Sequence, residues 1–242
     1  MKINIKRFSK VNTNRIDTFD ISKTNLLQAL SEIKTKQDAT LTYRCGCKSG
    51  VCGSCAVVVN GVEKLACKTT ITENDLVEPL KNRPIIKDLV TDVSHETFLI
   101  KKSNAFLEEN NNETPSNEDI KLIDTQSNCI LCNSCYSSCP VYEVNKEFLG
   151  PFALTRALRY VNDKKVLDNS SIVASIQDKG IWDCTLCSAC TLVCPQGIDP
   201  KADIMQLQNI SVQKGYQNPN FSNFDTAMDF GNDDFGFNPN GF

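Results

Sequence analysis

Cysteine is the residue type in this chain whose number asks for a chemical explanation. Thirteen of the 242 residues are cysteine, an odd count. Met1–Val11 lacks the pattern of a secretory signal, so a secreted disulfide framework is not expected. The single histidine, His95, excludes a Rieske centre and bis-histidine haem, and no C-x-x-C-H haem attachment occurs. The thiols are therefore predicted to bind metal.

One group of cysteines has the spacing C-x4-C-x2-C, followed by a lone cysteine after 11 residues. This spacing is typical of plant-type [2Fe–2S] proteins. Glycines in the loop allow the sharp bend that lets three thiolates surround one cluster. The predicted ligands are Cys47, Cys52, Cys55 and Cys67, and Cys45 is left as a spectator thiol. Zinc is the alternative, although structural zinc usually uses two C-x2–4-C pairs.

An internal repeat accounts for the other eight cysteines. Residues 129–140 and 184–195 both read C-x2-C-x2-C-x3-C-P and are identical at six of twelve positions. In two-cluster ferredoxins with this run, the first three cysteines hold one cubane and the fourth ligates the other. One [4Fe–4S] cluster is therefore assigned to Cys129, Cys132, Cys135 and Cys194. The other is assigned to Cys139, Cys184, Cys187 and Cys190.

A line of three clusters indicates electron transfer through the protein. The chain has no Ser-His-Asp set, G-x-G-x-x-G, P-loop or paired-carboxylate motif, so substrate chemistry is expected elsewhere. Lys and Arg together number 26 against 29 Asp and Glu, which leaves no basic surplus for nucleic acid. No apolar run approaches the roughly 20 residues of a membrane-spanning helix.

The elements that must position the first cysteine group read as a β-grasp domain. Residues 2–8 and 16–21 are predicted strands, and Thr24 is the predicted N-cap of the helix that follows. Asn60-Gly61 lies between two β-rich segments and predicts a hairpin with a type I′ turn. The order strand, strand, helix, cysteine loop and hairpin predicts a plant-type ferredoxin domain over residues 1–105.

The region of the repeat is predicted to be helical. Asn, Glu, Ser and Pro dominate the stretch before it, which predicts a linker over residues 106–120. Pro151 and Asp199-Pro200 have the form of helix starts within a domain over residues 121–215. The expected fold class is α+β, a β-grasp domain followed by an all-α ferredoxin domain. Residues 216–242, rich in Phe, Asn and Asp, are expected to be disordered or ordered against a partner.

Further short motifs accompany the cysteines. They are Tyr43-Arg44, Cys52-Gly-Ser-Cys55, Asn60-Gly61, Lys64–Lys68, Lys87–Val90, Phe148–Pro151, Trp182-Asp-Cys184, Cys194-Pro195 and Asp199-Pro200. With them, nearly the whole chain to about residue 215 resembles the iron–sulfur subunit of succinate dehydrogenase and quinol:fumarate reductase. The resemblance implies a subunit that passes electrons between an FAD subunit, where succinate and fumarate interconvert, and a membrane anchor that handles quinone.

One position departs from most of that family. A non-cysteine residue usually occupies the second position of the last motif, and the third cluster is then [3Fe–4S]. Here the residue is Cys187, so a second [4Fe–4S] cluster is predicted, with a three-iron cluster as the alternative if Cys187 does not ligate. The departure resembles the subclass in which a cysteine-rich subunit replaces the haem-carrying anchor, including the methylmenaquinol:fumarate reductases.

The expected function is that of a non-catalytic electron-transfer subunit of fumarate reductase or succinate dehydrogenase. The expected partners are an FAD-containing flavoprotein and a membrane-anchor or cysteine-rich quinone-reactive subunit, with no nucleic acid and no direct membrane span. The expected location is peripheral on the bacterial inner membrane, on the cytoplasmic face by default or on the periplasmic face by co-export with a twin-arginine partner.

Three alternatives to this function remain open. One is the same relay in a thiol-driven fumarate reductase or a heterodisulfide-reductase-like complex. The second is a free-standing ferredoxin that shuttles between partners, and the third is a zinc-stabilised structural protein.

Two single residues complete the predictions. His95 is expected at the surface or in a helix cap. Trp182, next to Cys184, matches a tryptophan near the quinone-facing cluster of the family. It is expected either to pack beside that cluster or to contact quinone.

Overall fold

The alternating residues at the start of the chain form a strand that begins the first hydrophobic core. The computed structural model describes residues 1–8, 13–107 and 110–219. β1 covers Lys2–Phe8, with Ile3 and Ile5 fully buried. The other strands of its sheet are β2 (Thr13–Asp20), β3 (Ala56–Val59), β4 (Val62–Leu65) and β5 (Leu76–Glu78). Their order is β2-β1-β5-β3-β4, and β6 (Ile85–Lys87) and β7 (Val90–Thr91) form a separate pair.

The predicted hairpin connects β3 and β4. Asn60 and Gly61 have φ angles of 50° and 82°, as a type I′ turn requires. The register pairs Ala56 with Leu65, so the residues that flank this pair lie at the same end of the hairpin. A 3₁₀ turn (Ala66–Lys68) follows β4 directly. This end of the hairpin therefore brings Cys55 and Cys67 together.

Helix α1 (Leu26–Lys36) packs on the sheet through Leu30 and Ile33, which are at most 1% exposed. The predicted N-cap, Thr24, is wrong by one residue. Asn25 is the cap, and its Oδ1 accepts a hydrogen bond from Gln28 N at 3.2 Å. Thr24 instead offers its carbonyl oxygen to Ile71 N at 2.9 Å, which places Thr24 outside the helix. The Asn25 amide also donates to Cys67 O at 3.0 Å, so the cap holds the cysteine turn.

A buried arginine on β1 forms ion pairs with three other segments of this domain. Arg7 on β1 donates from Nε to Asp88 Oδ1 at 2.9 Å. Its Nη1 donates to Asp17 on β2 at 3.2 Å and to Asp38 after α1 at 2.5 Å. Only 5% of the Arg7 side chain is exposed. The network therefore fixes β2 and the segments after α1 and β6 against β1.

The rest of the described chain is helical. Its helices are α2 (His95–Lys102), α3 (Asn117–Ser127), α4 (Ser134–Ser137), α5 (Pro140–Val144), α6 (Pro151–Val161), α7 (Ser170–Ser175), α8 (Ala189–Leu192) and α9 (Pro200–Gln213). Pro151 and Pro200 occupy first helical positions as predicted, and Asp199 caps α9 by accepting from Ala202 N at 3.1 Å. α3 begins inside the stretch 106–120 that was predicted to be a linker, because Ser116 and Asp119 form a capping box.

The helices surround a second hydrophobic core. Tyr136, Phe148 and Phe152 are at its centre, each at most 2% exposed. Leu99 and Ala105, which precede the predicted linker, also belong to this core. No helix among the described residues has the length and apolar character needed to cross a membrane. The predicted tail is described only to residue 219, so its phenylalanines from Phe221 onward lie outside the described residues.

The two cores meet along a hydrogen-bonded seam. Lys81 N donates to Ser137 Oγ at 2.8 Å, and Ser137 Oγ donates to Glu63 Oε1 at 2.7 Å. The Asn82 amide donates to the carbonyl oxygens of Tyr136 at 3.0 Å and Cys139 at 3.3 Å. The seam therefore ties the sheet to the helix that carries the first repeat.

Candidate metal centres

The first cysteine loop turns its backbone N–H groups toward the sulfur of Cys47. The amide nitrogens of Ser49, Val51 and Cys52 lie 3.3–3.4 Å from Cys47 Sγ. Hydrogen bonds from the side chain and backbone of Ser49, and then from the Val51 backbone, lower the pKa of Cys47 to about 5. The loop therefore favours the thiolate, which is the form that binds metal.

The same loop depends on close backbone approach. A Cβ on Gly46 would lie 2.8 Å from Cys52 Sγ, so a larger residue at this position would push the loop apart. Lys48 and Gly50 have φ angles of 61° and 83°. Such left-handed positions turn successive N–H groups toward one point and make a concave site for an anionic group.

Cys55 and Cys67 complete this group from the end of the hairpin. Cys55 directly precedes β3 and is 5% exposed, and Cys67 lies in the turn after β4. Burial raises the pKa of Cys55 to about 11, and the nearby thiols of Cys67 and Cys52 contribute. All four predicted thiols are therefore neighbours. Cys45 is exposed beside them and lines a surface cavity with Tyr43 and Cys67.

A second group of thiols lines one cavity of about 30 Å³. Its cysteines are Cys129, Cys132, Cys135 and Cys194, three from the first repeat and one from the second. Burial raises the pKa of Cys129 to about 11, and the thiols of Cys132 and Cys194 add to the effect. Burial also raises the pKa of Cys135 well above its usual range. Such thiols stay protonated unless a cation compensates their charge.

The third group contains the fourth cysteine of the first repeat and three from the second. Burial raises the pKa of Cys190 to about 12, and the nearby thiols of Cys184, Cys139 and Cys187 contribute to this increase. Cys187 is exposed, whereas Cys139 and Cys190 are buried. The thiol of Cys190 also helps to raise the pKa of Cys135 in the second group. The second and third groups are therefore adjacent.

The two cysteine repeats also share their backbone conformation. Leu131 and Leu186 have φ angles of 52° and 54°, and Asn133 and Ser188 have φ angles of 68° and 67°. A leucine in this left-handed region is rare, since its Cβ crowds the backbone. α4 and α8 begin at the next residues. Sequence reasoning missed this conformation because leucine carries no signal for it.

The donor sets fit iron–sulfur clusters. Each site offers cysteine sulfur, the soft ligand that such clusters require. Within the described part of the chain, no three His, Cys, Asp or Glu side chains are arranged so that they could hold a single metal ion. The four thiols of the second group instead line a shared cavity, as ligands of a multi-iron cluster do.

The structure also shows a polar network that sequence reasoning missed. Arg83 Nη2 donates to Asn133 Oδ1 and to His95 Nε2, each at 2.8 Å. The Asn133 amide in turn donates to Glu96 and to Leu131 O. No motif marked these residues, because the segment before α2 and the first repeat meet only in the folded protein.

The expectation for His95 is wrong. It is the first residue of α2, but its ring is half buried beside Tyr136 and Tyr142, with centroids 5.5 and 6.2 Å away. Burial, and then the charge of Arg83, lower its pKa to about 4. His95 is therefore neutral at physiological pH and accepts the hydrogen bond from Arg83.

Trp182 lies in the second core and is 8% exposed. Its Nε1 donates to Gln177 Oε1 at 2.9 Å. This burial agrees with the packing alternative, and the quinone contact stays a prediction.

Two family models match the chain. A 2Fe-2S iron-sulfur cluster binding domain matches residues 2–97, and a 4Fe-4S dicluster domain matches residues 125–198. A chain of the Mycobacterium smegmatis Sdh1 complex in the apo form superposes with a TM-score of 0.75 and 24% identity, over 89% of this chain and 97% of that one. The predicted fold class and the iron–sulfur cofactors are confirmed.

Curated relatives agree with these matches. The fumarate reductase iron-sulfur subunit of Escherichia coli O6:H1 is 38% identical, over 76% of this chain and 79% of the relative. The 8-methylmenaquinol:fumarate reductase iron-sulfur subunit of Wolinella succinogenes is 35% identical, over 89% and 74%. The succinate dehydrogenase iron-sulfur subunit of Paracoccus denitrificans is 34% identical, over 83% of each. The chain belongs to the family of electron-transfer iron–sulfur subunits of fumarate reductase and succinate dehydrogenase.

Proposed function

We propose that the three thiol groups form one electron relay between a flavoprotein subunit and a quinone-reactive membrane subunit. Cys47, Cys52, Cys55 and Cys67 would hold the [2Fe–2S] cluster. Cys129, Cys132, Cys135 and Cys194 would hold one [4Fe–4S] cluster, and Cys139, Cys184, Cys187 and Cys190 the other. When bound, these clusters supply reversible one-electron transfer. The observation that carries the proposal is that the three groups are successive neighbours in the fold.

The contact between the first and second groups supports the relay. A Cβ on Gly53 would lie 2.8 Å from Ile130 O and 2.9 Å from Cys132 Cβ, so the first loop touches the first repeat directly. Gln196, two residues after Cys194, donates from Nε2 to Gly50 O at 3.1 Å. Both contacts hold the first loop against ligands of the next site.

The second and third groups are linked by proximity, because the thiol of Cys190 lies near enough to raise the pKa of Cys135. The crossed use of the two repeats explains this adjacency, because each repeat contributes cysteines to both groups. Cys139 and Cys194, the fourth cysteines, thereby link the two sites covalently through the backbone.

The exposed ends of the relay suggest where the partners dock. Val51, in the first cysteine loop, is 65% exposed. Val144 after Cys139 is 85% exposed and Leu192 after Cys190 is 83% exposed. Exposed apolar residues beside a buried relay favour protein partners. We assign the Val51 end to the flavoprotein, and the end with Val144 and Leu192 to the quinone-reactive subunit.

Two parts of the function rest on this assignment. Fumarate and succinate are interconverted on the flavoprotein, so the role of this chain is non-catalytic: its residues hold and separate redox centres. The chain is peripheral on the bacterial inner membrane, held there by its partner subunits. The fourth thiolate at Cys187, together with the methylmenaquinol-linked relative, favours two [4Fe–4S] clusters and a cysteine-rich partner.

Purification of the native complex through a tag on this chain tests the proposal. We expect a flavoprotein to co-purify, and succinate to reduce the iron–sulfur clusters in the absence of any other donor. The quinone-reactive subunit should be needed for quinol-dependent fumarate reduction. A chain that elutes alone near 26.9 kDa with its clusters loaded contradicts the proposal and supports a free-standing ferredoxin. A complex without succinate or fumarate turnover supports a different reductase.

A further inference from the structure

Arg83 is the residue whose surroundings the electron relay leaves unexplained. Its Nε is the one buried side-chain nitrogen or oxygen among the described residues that has no hydrogen-bond partner. The ion pairs of the described residues do not include Arg83. A partly buried guanidinium that forms no ion pair is unfavourable, because desolvation removes water that stabilised its charge.

A hydrogen bond connects Arg83 to the first repeat. Arg83 Nη2 donates to Asn133 Oδ1 at 2.8 Å, and Asn133 lies between Cys132 and Cys135. On the other side, the Asn133 amide donates to Glu96. The side chain of Asn133 therefore holds a cation and a carboxyl group at opposite ends, directly beside the second group of thiols.

Burial lowers the pKa of Arg83, and the neighbouring groups that oppose this shift when they are ionised are Glu96 first, and then Tyr142, Cys135 and Tyr136. Lys146 and His95 also face it, since the charge of Arg83 acts on both. Glu96 is the carboxyl group among them: burial raises its pKa, and the hydrogen bond from Asn133 and the charge of Arg83 oppose that shift. Arg83 therefore lies between a carboxyl group and a ligand of the second site.

An all-thiolate [4Fe–4S] cluster is anionic and gains one more negative charge when it is reduced. The electron comes from the neighbouring cluster of the relay, and no covalent bond forms or breaks. A buried cation nearby favours the reduced form, whereas a buried anion disfavours it, and both effects are large where the effective dielectric constant is low. The anionic cluster would therefore supply a countercharge for Arg83.

We infer that Arg83 and Glu96 are positioning residues that set the reduction potential of the cluster at Cys129, Cys132, Cys135 and Cys194. Arg83 raises the potential, Glu96 lowers it, and Asn133 keeps both at a fixed place beside the cluster. The inference rests on the proposed ligand assignment. It gives the segment before α2, which belongs to the predicted first domain, a role in tuning the site in the second.

Redox titration of the full-length, anaerobically purified holoprotein, followed by EPR, tests the inference. Arg83→Met should shift the one-electron reduction equilibrium of this cluster toward the oxidised form by about tenfold, or about 59 mV. Glu96→Gln should shift it by a similar factor in the opposite direction. Arg83→Lys keeps the charge and should stay near the wild type. Opposite signs separate an electrostatic role from structural damage, which moves both variants the same way.

Two controls locate the effect. Arg15→Met removes an exposed arginine from β2 and should leave all potentials unchanged. Lys146→Met removes an ammonium that interacts with Cys139 and should shift chiefly the other cubane. If Arg83→Met does not fold, Glu96→Gln still decides the question through the sign and place of its shift, and Arg83→Lys should show no shift beside it.

The outcomes also separate this inference from the proposed function. A wild-type protein that lacks a cubane at the second site removes the basis of both. A wild type with all clusters, in which Arg83→Met leaves the potentials unchanged or shifts them in the same direction as Glu96→Gln, overturns the tuning role alone.

Discussion

At the scale of single residues, the cysteines differ strongly in the environment of their thiols. The first loop lowers the pKa of Cys47 to about 5 through hydrogen bonds, whereas burial raises that of Cys190 to about 12. The first cysteine is therefore prepared as a thiolate before metal arrives. As proposed cluster ligands, the buried cysteines would need the positive charge of iron to lose their protons.

Cys187 is the residue that should decide the composition of the third cluster. Cys187→Ala removes one of four thiolates, and we expect the site to lose one iron and become [3Fe–4S]. Iron analysis and EPR of the oxidised, anaerobically purified protein measure this change. Cys45→Ala removes an exposed thiol beside the first loop that is not among the proposed ligands, and it should leave every cluster intact. A stoichiometric three-iron signal in the wild type contradicts the assignment of Cys187.

His95 should make stability depend on pH between 7 and 5. Its folded pKa of about 4 lies below the unfolded value of about 6.5, so the unfolded chain binds the extra proton first as the pH falls. Stability is therefore lost as the pH drops through this range, by about 2 kcal/mol between pH 7 and 5. The midpoint of thermal unfolding at each pH measures the loss. His95→Gln should lose less, and an equal loss in both proteins would refute the assignment.

At the scale of elements, local chemistry explains most of the starts and turns. Asn60-Gly61, Pro151 and Asp199-Pro200 form the structures that their residue types favour. The exceptions depend on distant partners. Asn25 replaces Thr24 as the cap of α1 because its amide also reaches Cys67, and β2 is held by Arg7 from another strand.

The Arg7 network should contribute strongly to the stability of the first domain. Arg7→Met leaves Asp88, which is 3% exposed in its side chain, without its cation. The expected loss is about 3 kcal/mol, because removing one partner strands a buried charge. Thermal unfolding of the holoprotein at pH 7 measures it. Arg15→Met is the matched control, since Arg15 also pairs with Asp17 but is 52% exposed, and its effect should stay below about 1 kcal/mol.

At the scale of the whole molecule, the packing of the two domains places the relay. The hydrogen bonds of Asn82 and Gln196 cross between the regions of the two family models, and the close approach at Gly53 lies between them. Rigid contact matters for electron transfer, because its rate depends on the separation of the redox centres. The domain boundaries at residues 105 and 120 stay predictions.

Gly53 should be the sensitive point of this packing. Gly53→Ala strains a backbone with φ of 70° and places a methyl group against Ile130 O. We expect a loss of about 1–3 kcal/mol and a weaker magnetic coupling between the first two reduced clusters, measured by EPR. Gly61→Ala has similar strain at φ of 82° but nothing within 4 Å of the new methyl group. It should lose stability without weakening the coupling, and equal coupling in both variants would argue against direct contact at Gly53.

The sequence by itself determined the chemistry of this protein. Cysteine spacing is a local property, so three iron–sulfur sites, two fold types and the family could be read from it, and the matches to known proteins agree. The ligand sets, including the exchange of Cys139 and Cys194, follow from spacing and stay a proposal that the grouping of the thiols supports.

The tertiary structure decided what surrounds those sites. Arg83 and Glu96 reach Asn133 from a segment more than thirty residues away in the chain. His95 is neutral because aromatic rings of the second core bury it. Leu131 and Leu186 adopt left-handed backbone only because the turn around each site requires it. Contacts between distant segments depend on packing of the whole chain, and no local pattern of residue types encodes them.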